Sequence, residues 1–501
     1  MNSSMVRYIL GYVLMIEAAL LGLPCITSLI YREGEGFYFL VTALICLAIG
    51  ILMTRKKPEN TVFYFKEGCV STALSWICMS IFGALPFTLC GDIPNYTDAL
   101  FETISGFTTT GSSILEDVEA LSHCSLIWRS FTHWIGGMGI LVVLLAIIPL
   151  GGGSRFNLMK AESPGPSVGK LVPKVRYTAQ LLYYIYVGLT LLELVFLLLG
   201  RMSLFDALCT SFGTAGTGGF GVKGDSIAGY SPYIQWVTGV FMLMFGINFN
   251  AYYYILLKQV KKAGQMREVQ AYLLIILSSV TFITISLMKT SVGFGKALRD
   301  AFFQVASIIT TTGFATADFD QWSVACRTLL VMLMFCGACA GSTGGGIKVS
   351  RLIVMLKTVI KELNSYIHPK SIKKIKMDGK AVEHEVVRAT NVFLITYIII
   401  FVCSLFIVSL EGNDIVTNFT AIAATINNIG PGLNMVGPTM NFHFIHPLSK
   451  YVMMFDMLAG RLELFPLLIL FHPSIWKELA KQKVNKIDKT KKPQKGKALK
   501  K

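Results

Sequence analysis

The sequence predicts an all-α polytopic membrane protein of ten spans, on three observations: an apolar composition, ten long apolar stretches, and positive charge concentrated in alternate loops. Hydrophobic residues make up 53% of the 501 positions and charged residues only 15%. Soluble domains hold about 45–50% apolar residues, glycine included, and about 25% charged ones. A mean hydropathy of +0.59 beside a net charge of +16 excludes disordered, collagen-like and coiled-coil chains and suits a protein whose solvent is lipid. The eleven cysteines are scattered, as at Cys46, Cys78 and Cys403 inside apolar runs. They lack metal-ligand spacing and read as small core residues.

The first stretch, 7–30, is longer than a signal-peptide core, is interrupted by Glu17 and lacks a small-x-small cleavage site, so it is taken as a span. Further stretches begin near Phe37, Val70, Trp128, Tyr177, Ile234, Ala271, Val324, Val392 and Leu448, each near the length needed to cross about 30 Å of hydrocarbon. Alternate loops, at 54–67, 151–176, 258–270, 351–390 and from 473 onward, hold 33 of the 45 Lys and Arg. That asymmetry places both termini in the cytoplasm of a multi-pass protein of the cell inner membrane. The two longest basic segments follow spans directly and lack interleaved aromatics, which points to anionic membrane lipid or a cytosolic partner and not to nucleic acid. The opposite loops carry Glu33, Glu35, Asp92, Glu116, Asp117, Glu119, Asp225, Asp318, Asp320, Glu411 and Asp414. Such acid either concentrates cations at an entrance or simply reflects loops short of bases.

Four segments between spans are too short to cross, and they repeat: DALFETISGFTTTGSS from Asp98, DALCTSFGTAGTGGFG from Asp206, DAFFQVASIITTTGFA from Asp300 and TNFTAIAATINNIGPG from Thr417. In each, a glycine falls thirteen residues after the start, at Gly111, Gly219, Gly313 and Gly430. The unit is span, short re-entrant helix, polar loop, span. Non-helical backbone at membrane depth is tolerated only inside protein or beside water, so four such loops must converge on something polar, most economically a pore. Units entering in the same sense are related by a pseudo-fourfold axis along the membrane normal. Helix C-termini directed at that axis favour a cation. Glycine at the narrowest point lets carbonyls face inward, while the threonines before it add hydroxyl acceptors and stiffness. The candidate filter is therefore Thr109, Thr110 and Gly111; Thr217, Gly218 and Gly219; Thr311, Thr312 and Gly313; and Asn428, Ile429 and Gly430. Glycines and threonines that merely cap re-entrant turns would not require the shared register. The organisation is 1–67 for two extra N-terminal helices, then pore repeats over 68–176, 177–270, 271–390 and 391–476, and a basic tail over 477–501.

At these residues the chain resembles the superfamily of bacterial Trk and Ktr and plant HKT potassium transporters, most closely the TrkH/TrkG branch with its two extra N-terminal spans. The match is specific at TTTGF and NNIGPG and looser in the second loop, where Gly216 and Gly218 dilute the threonine pattern. The resemblance implies potassium uptake, potassium bound in the filter with no covalent cofactor, a homodimer, and a cytosolic ring of nucleotide-binding regulatory Trk subunits. Glycine in every filter is the arrangement the superfamily associates with potassium. GACAGSTGGGIK at 337–348 holds five glycines and cannot stay helical at about 1 kcal/mol per glycine without compensation. It resembles the family's intramembrane gating loop, with Gly341, Ser342, Thr343, Gly344, Gly345, Gly346 and Lys348; a helix kink or a close helix crossing is the plainer reading. Arg461, in FDMLAGRLELFP, matches the family's pore arginine; the plainer reading pairs it with Asp456 or Glu463, at spacings poor for a helix. Those two acids are otherwise candidates for packing or dimer contacts.

Among the seven histidines no HExxH or base-paired set occurs, His443 and His446 lie in an outer loop, and His123 and His133 flank the fourth span without a nameable partner. Glu17, Glu102 and Glu193 fall at membrane depth as candidate proton-relay groups, although Glu102 shares its repeat position with Gln304 and so reads as support behind the filter. No nucleotide-binding fold is present. The alternatives to a Trk-type subunit are the channel-like subunit of an ATP-driven potassium pump and, with no convergent ionisable pair to support it, an intramembrane enzyme.

Overall fold

The computed structural model describes residues 1–58, 60, 64–139, 175–290, 292–370 and 374–477. The second half of the expected span from Trp128, the basic loop up to residue 174 and the tail from 478 lie outside the described residues. Among those described, six helices are long and apolar enough to cross a membrane: Ser3–Tyr31, Gly36–Thr54, Phe65–Cys90, Gln180–Leu199, Arg267–Met288 and His384–Ser409. A seventh is obtained if Pro232–Gly246 and Phe249–Leu256, bent by 92° at their break, count as one span.

Three of the other expected spans have interrupted helices, each for a local reason. The stretch from Ile234 turns at Asn248, whose side chain accepts from the Asn250 N–H at 2.9 Å and so starts a new helix. From Val324 the helix ends at Met334 and resumes only at Val349, on the far side of the glycine-rich run. The stretch from Leu448 stops at Arg461, after which Glu463 and Leu464 take positive φ. The first span also breaks, into Ser3–Leu20 and Gly22–Tyr31, where Pro24 lacks an N–H and its ring opposes the carbonyl of Leu20. Among the described residues, one departure from an all-α chain occurs in the basic 351–390 segment, an antiparallel pairing of Lys376–Met377 with Lys380–Ala381. Asp378 and Gly379 between them both have positive φ, the Asp-Gly turn that matches strand twist.

Between the long helices lie four short ones, Tyr96–Phe107, Leu204–Gly216, Phe294–Ile309 and Ile415–Ile426, of 12 to 16 residues. At about 1.5 Å per residue these fall short of the hydrocarbon thickness. Asn95, Ser203 and Asp414 cap three of them by accepting from backbone N–H groups. Asp300 lies six residues inside the third helix and not at its start. The short helices form the interior, with Phe101, Phe107, Ile308 and Ile422 at most 1% exposed. The long helices turn Leu44, Leu277, Ile399 and Phe406 outward at 56% exposure or more. That inversion of a water-soluble surface is stable only against acyl chains. Ser3–Leu20 meets Gly36–Thr54 closely because Gly11 and Gly50 face each other: a Cβ on Gly50 would stand 2.8 Å from the Gly11 carbonyl oxygen.

Candidate functional site

Each short helix ends in the same hydrogen-bonded cap. Thr109, Thr217, Thr311 and Asn428 take left-handed φ of 55–59°. Their N–H groups donate to carbonyls three residues back, and the next residue's N–H donates to a carbonyl five back at 2.8–2.9 Å, as in Thr110 to Ser105 and Ile429 to Ala424. This is a Schellman cap, which satisfies helix-terminal carbonyls. A β-branched residue in that region costs about 1–2 kcal/mol, so threonine at three of the four sites is held there by its surroundings. Two residues later Gly111, Gly219, Gly313 and Gly430 have φ of 81°, 78°, 87° and 101°.

The four glycines are neighbours in a closed cycle. A Cβ on Gly111 would overlap the carbonyl oxygen of Gly218, one on Gly219 that of Thr312, and one on Gly313 that of Ile429, while on Gly430 it would stand 2.9 Å from that of Thr110. The oxygen is in every case that of the residue before the next loop's glycine. The loops therefore abut in chain order, and the fourth closes on the first. Asn428 Nδ2 strengthens that closure by donating to Thr110 Oγ1 at 3.0 Å and to the Met457 carbonyl at 2.9 Å, and Ser112 Oγ donates to the Gly430 carbonyl at 3.1 Å.

Side chains at the other joints fix the ring from behind. His133 Nδ1 lies 2.8 Å from the Gly106 carbonyl and Nε2 accepts from the Phe220 N–H at 3.2 Å, tying the first short helix to the second loop. Those partners assign the proton to Nδ1. Glu102 accepts from Arg129, Ser113 Oγ and the Ile114 N–H at 2.8, 2.9 and 3.0 Å. Arg129 also donates to the Gly221 carbonyl at 3.3 Å and lies over the Phe220 ring. Gln304, at the position equivalent to Glu102, donates to the Ala317 carbonyl at 3.3 Å. Ile227 N–H and Ala315 O pair the second and third loops at 3.1 Å, and Lys450 bonds Asp98 at 2.6 Å across the fourth and first. The Arg129–Glu102 pair is at most 2% exposed, so Arg129→Met would strand a buried carboxylate at a cost of about 3–5 kcal/mol. The expected outcome is a lower unfolding temperature in detergent, partly recovered when Glu102→Gln is added.

Residues 337–348 fold as a loop under the third and fourth ring segments. Its limbs pair at the neck through Gly337 N–H to Ile347 O at 2.7 Å and Val349 N–H to Ala338 O at 3.2 Å. At its tip the Gly345 N–H donates to Thr311 Oγ1 at 2.7 Å, and a Cβ on Gly345 would stand 2.7 Å from the Asn427 carbonyl. Lys348 Nζ folds back onto the Gly344 and Gly345 carbonyls. Arg461 bridges the loop to the opposite side, donating to the Thr343 carbonyl and to the Gly137 carbonyl, each at 2.8 Å, and also to that of Gly136. It pairs with neither acid considered for it from the sequence. Glu463 binds Arg351, and Asp456 accepts from Ser404 Oγ at 2.8 Å. Both acids are thus engaged within the chain.

With the ring, its supports and the loop in place, comparison with known proteins identifies the architecture. Residues 36–478 match the family described as TrkH, cation transport protein. The chain belongs to the TrkH family. It is 36% identical over 488 residues to the Trk system potassium uptake protein TrkH of Salmonella typhimurium, covering 95% of this chain and all of the relative. It is 30% identical over 489 residues to TrkG of Escherichia coli, with the same coverage. The crystal structure of the potassium transporter TrkH from Vibrio parahaemolyticus superposes with a TM-score of 0.85 at 32% identity, over 95% of this chain and all of that one. The protein is accordingly a multi-pass cation transport protein of the TrkH/TrkG branch, and membership of a transport family sets the enzyme reading aside.

Several of the contacts that shape this TrkH-family site were not legible from sequence. Arg129 was legible as a charge inside an apolar stretch, which demands a partner, but nothing local names Glu102, 27 positions away. Glu268 falls inside the loop 258–270, which was read for its positive charge, and nothing local marked it out. Glu17 is fully buried with no partner for either oxygen among the described residues. Beside the turn between the first two long helices, His123 does find one: its ring and N–H, with the Cys124 N–H, surround the Glu33 carboxylate at 2.7–3.1 Å. Burial opposes ionisation of Glu33, but these donors outweigh it and hold the carboxyl below its ordinary value. A lowered folded value contributes stability above the unfolded value near 4.5 that disappears as pH falls through the folded one. Glu33→Gln should flatten the dependence of thermal stability on pH below about 5, as followed by melting in detergent between neutral and acid buffer.

Proposed function

We propose that this chain carries potassium inward across the cell membrane through a filter of backbone carbonyls at the centre of four pseudo-equivalent repeats. The single observation that carries the reading is the closed cycle of Gly111, Gly219, Gly313 and Gly430, each against the preceding-residue carbonyl of the next loop. Four peptide oxygens grouped in this way replace the hydration shell of an alkali cation. The short helices direct their C-terminal partial charge toward the ring and add to its preference for cations. The names of the relatives, Trk system potassium uptake proteins, support potassium as the cargo.

In this reading the chain has ten spans, two before the repeats and two in each repeat, with both termini in the cytoplasm. The repeats occupy 68–176, 177–270, 271–390 and 391–476. The filter ligands are the carbonyls and hydroxyls of Thr109–Gly111, Thr217–Gly219, Thr311–Gly313 and Asn428–Gly430. Below them the loop from Gly341 to Gly346, with Lys348, and the guanidinium of Arg461 form the gate, because a bulky segment and a fixed positive charge both obstruct a dehydrated cation. An inside-negative potential supplies about 2.3 kcal/mol per 100 mV of driving force, so passage needs no chemistry by the protein. The working assembly is a homodimer on a cytosolic ring of nucleotide-binding Trk subunits, with the basic loop 351–388 and the basic tail as contacts and anionic lipid around it. Reconstitution into liposomes with imposed cation gradients tests the function. Potassium-selective entry supports it; entry no greater than that of empty liposomes overturns it.

A further inference from the structure

Glu268, the second residue of the helix Arg267–Met288, is 2% exposed. Its Oε1 accepts from the Ala340 N–H at 2.6 Å and from the Ser350 N–H at 3.1 Å, and its Oε2 accepts from Asn248 Nδ2 at 3.3 Å. Ala340 lies on the incoming limb of the glycine-rich loop and Ser350 just beyond its outgoing limb, at the start of Val349–Ile367. Asn248 stands at the sharp bend between Pro232–Gly246 and Phe249–Leu256, where the Phe249 N–H bonds the Gly341 carbonyl at 3.0 Å and the Cys339 N–H bonds that of Gly246 at 3.1 Å. One carboxylate thus gathers both limbs of the loop and the broken helix beside them.

We infer that Glu268 is a positioning residue for the gate: its carboxylate holds the neck of the 337–348 loop shut and sets the balance between the blocked and open pore. This deepens the proposed function and rests on the reading of that loop as the gate. The physical basis is the cost of a buried charge. Taking a carboxylate from water costs several kcal/mol unless donors replace the lost hydration, and two of the three donors here are backbone N–H groups of the limbs. Spreading the limbs removes those donors, so the carboxylate favours the closed arrangement. A cavity of about 1060 Å³ reaches Glu268 and is also lined by Asn248, Arg267, Asp378, Lys380 and Glu383. Water in it can rehydrate the carboxylate when the limbs part, so the loop is biased and not locked. The neck's own backbone pairs, such as Gly337 with Ile347, persist without Glu268 and keep the loop a defined structure.

Glu268→Ala, in the full chain reconstituted into liposomes, is the test, with potassium and sodium entry and thermal unfolding measured together. The expected result is basal potassium entry raised at least tenfold with unchanged potassium-over-sodium preference, and a smaller rise for Glu268→Gln, which keeps one acceptor oxygen. A side chain needed only for folding would lower entry and the unfolding temperature together, and that result overturns the inference. So does entry that rises with loss of cation preference, since the filter itself would then have been disturbed. Deletion of residues 342–345 separates this from the underlying reading. If the deletion raises entry and Glu268→Ala does not, the inference about Glu268 fails alone. If neither raises entry, the loop is not the gate and both fail.

Discussion

Gly313→Ser is expected to reduce potassium entry in proteoliposomes by more than tenfold while leaving the protein monodisperse and folded. The serine Cβ would overlap the Ile429 carbonyl oxygen and stand 3.1 Å from Pro431 Cδ, and the position holds φ of 87°. A side chain in that region carries about 1–2 kcal/mol of strain. The overlap is worse, because the obstacle is main chain that cannot rotate away. Relief requires the fourth loop to move outward, which opens the ring at the place where its oxygens must match a cation. The same argument ranks the glycines. Gly111 and Gly219 meet the next loop's carbonyl as closely as Gly313 does, whereas a Cβ at Gly430 has 2.9 Å to the Thr110 oxygen. Serine at 430 should therefore retain more entry than serine at the other three. Equal effects at all four sites would show that φ, and not the inter-loop contact, decides the outcome.

Arg461→Ala is expected to act in the opposite direction and raise basal entry. A unit positive charge about 5 Å from a passing cation opposes it by about 3 kcal/mol at an effective dielectric near 20, which corresponds to roughly a hundredfold in rate. Alanine also removes the three hydrogen bonds through which Arg461 ties Thr343 of the loop to Gly136 and Gly137. Arg461→Lys separates the two contributions. An ammonium keeps the charge but has no planar fork to span both partners, so an intermediate entry is expected. Lysine behaving like the native arginine would make charge the whole obstacle; lysine behaving like alanine would make it the bridge. Initial-rate flux measurements at fixed potential distinguish these outcomes.

The register of the four glycines was legible because each position needs a residue without a Cβ, and a requirement of that kind leaves an uninterrupted mark in the chain. The same holds for the break at 337–348, where five glycines remove the propensity that a helix needs. The fourth loop has Asn427 and Asn428 before its glycine where the first and third have threonines, but nothing in that difference announces that Asn428 bonds both Thr110 and Met457. The helix breaks at Asn248 and beyond Arg461 were not legible, because apolar composition reports the solvent a segment meets and not whether its helix is unbroken. The short hairpin at Lys376–Ala381 was missed although Asp378-Gly379 signalled it, since a basic loop was read for its charge alone.

By itself the sequence determined the class of protein, its solvent and the positions of the four loops, because hydrophobicity, Lys/Arg bias and backbone permissiveness are properties of residues and their local order. Only the tertiary structure decided which charges meet: Arg129 with Glu102, Glu463 with Arg351, and Glu268 with both limbs of the glycine-rich loop. Those partners are 27 to 112 positions apart. Their pairing follows from the low-dielectric interior into which the fold carries them, where an unpaired charge is too costly to persist.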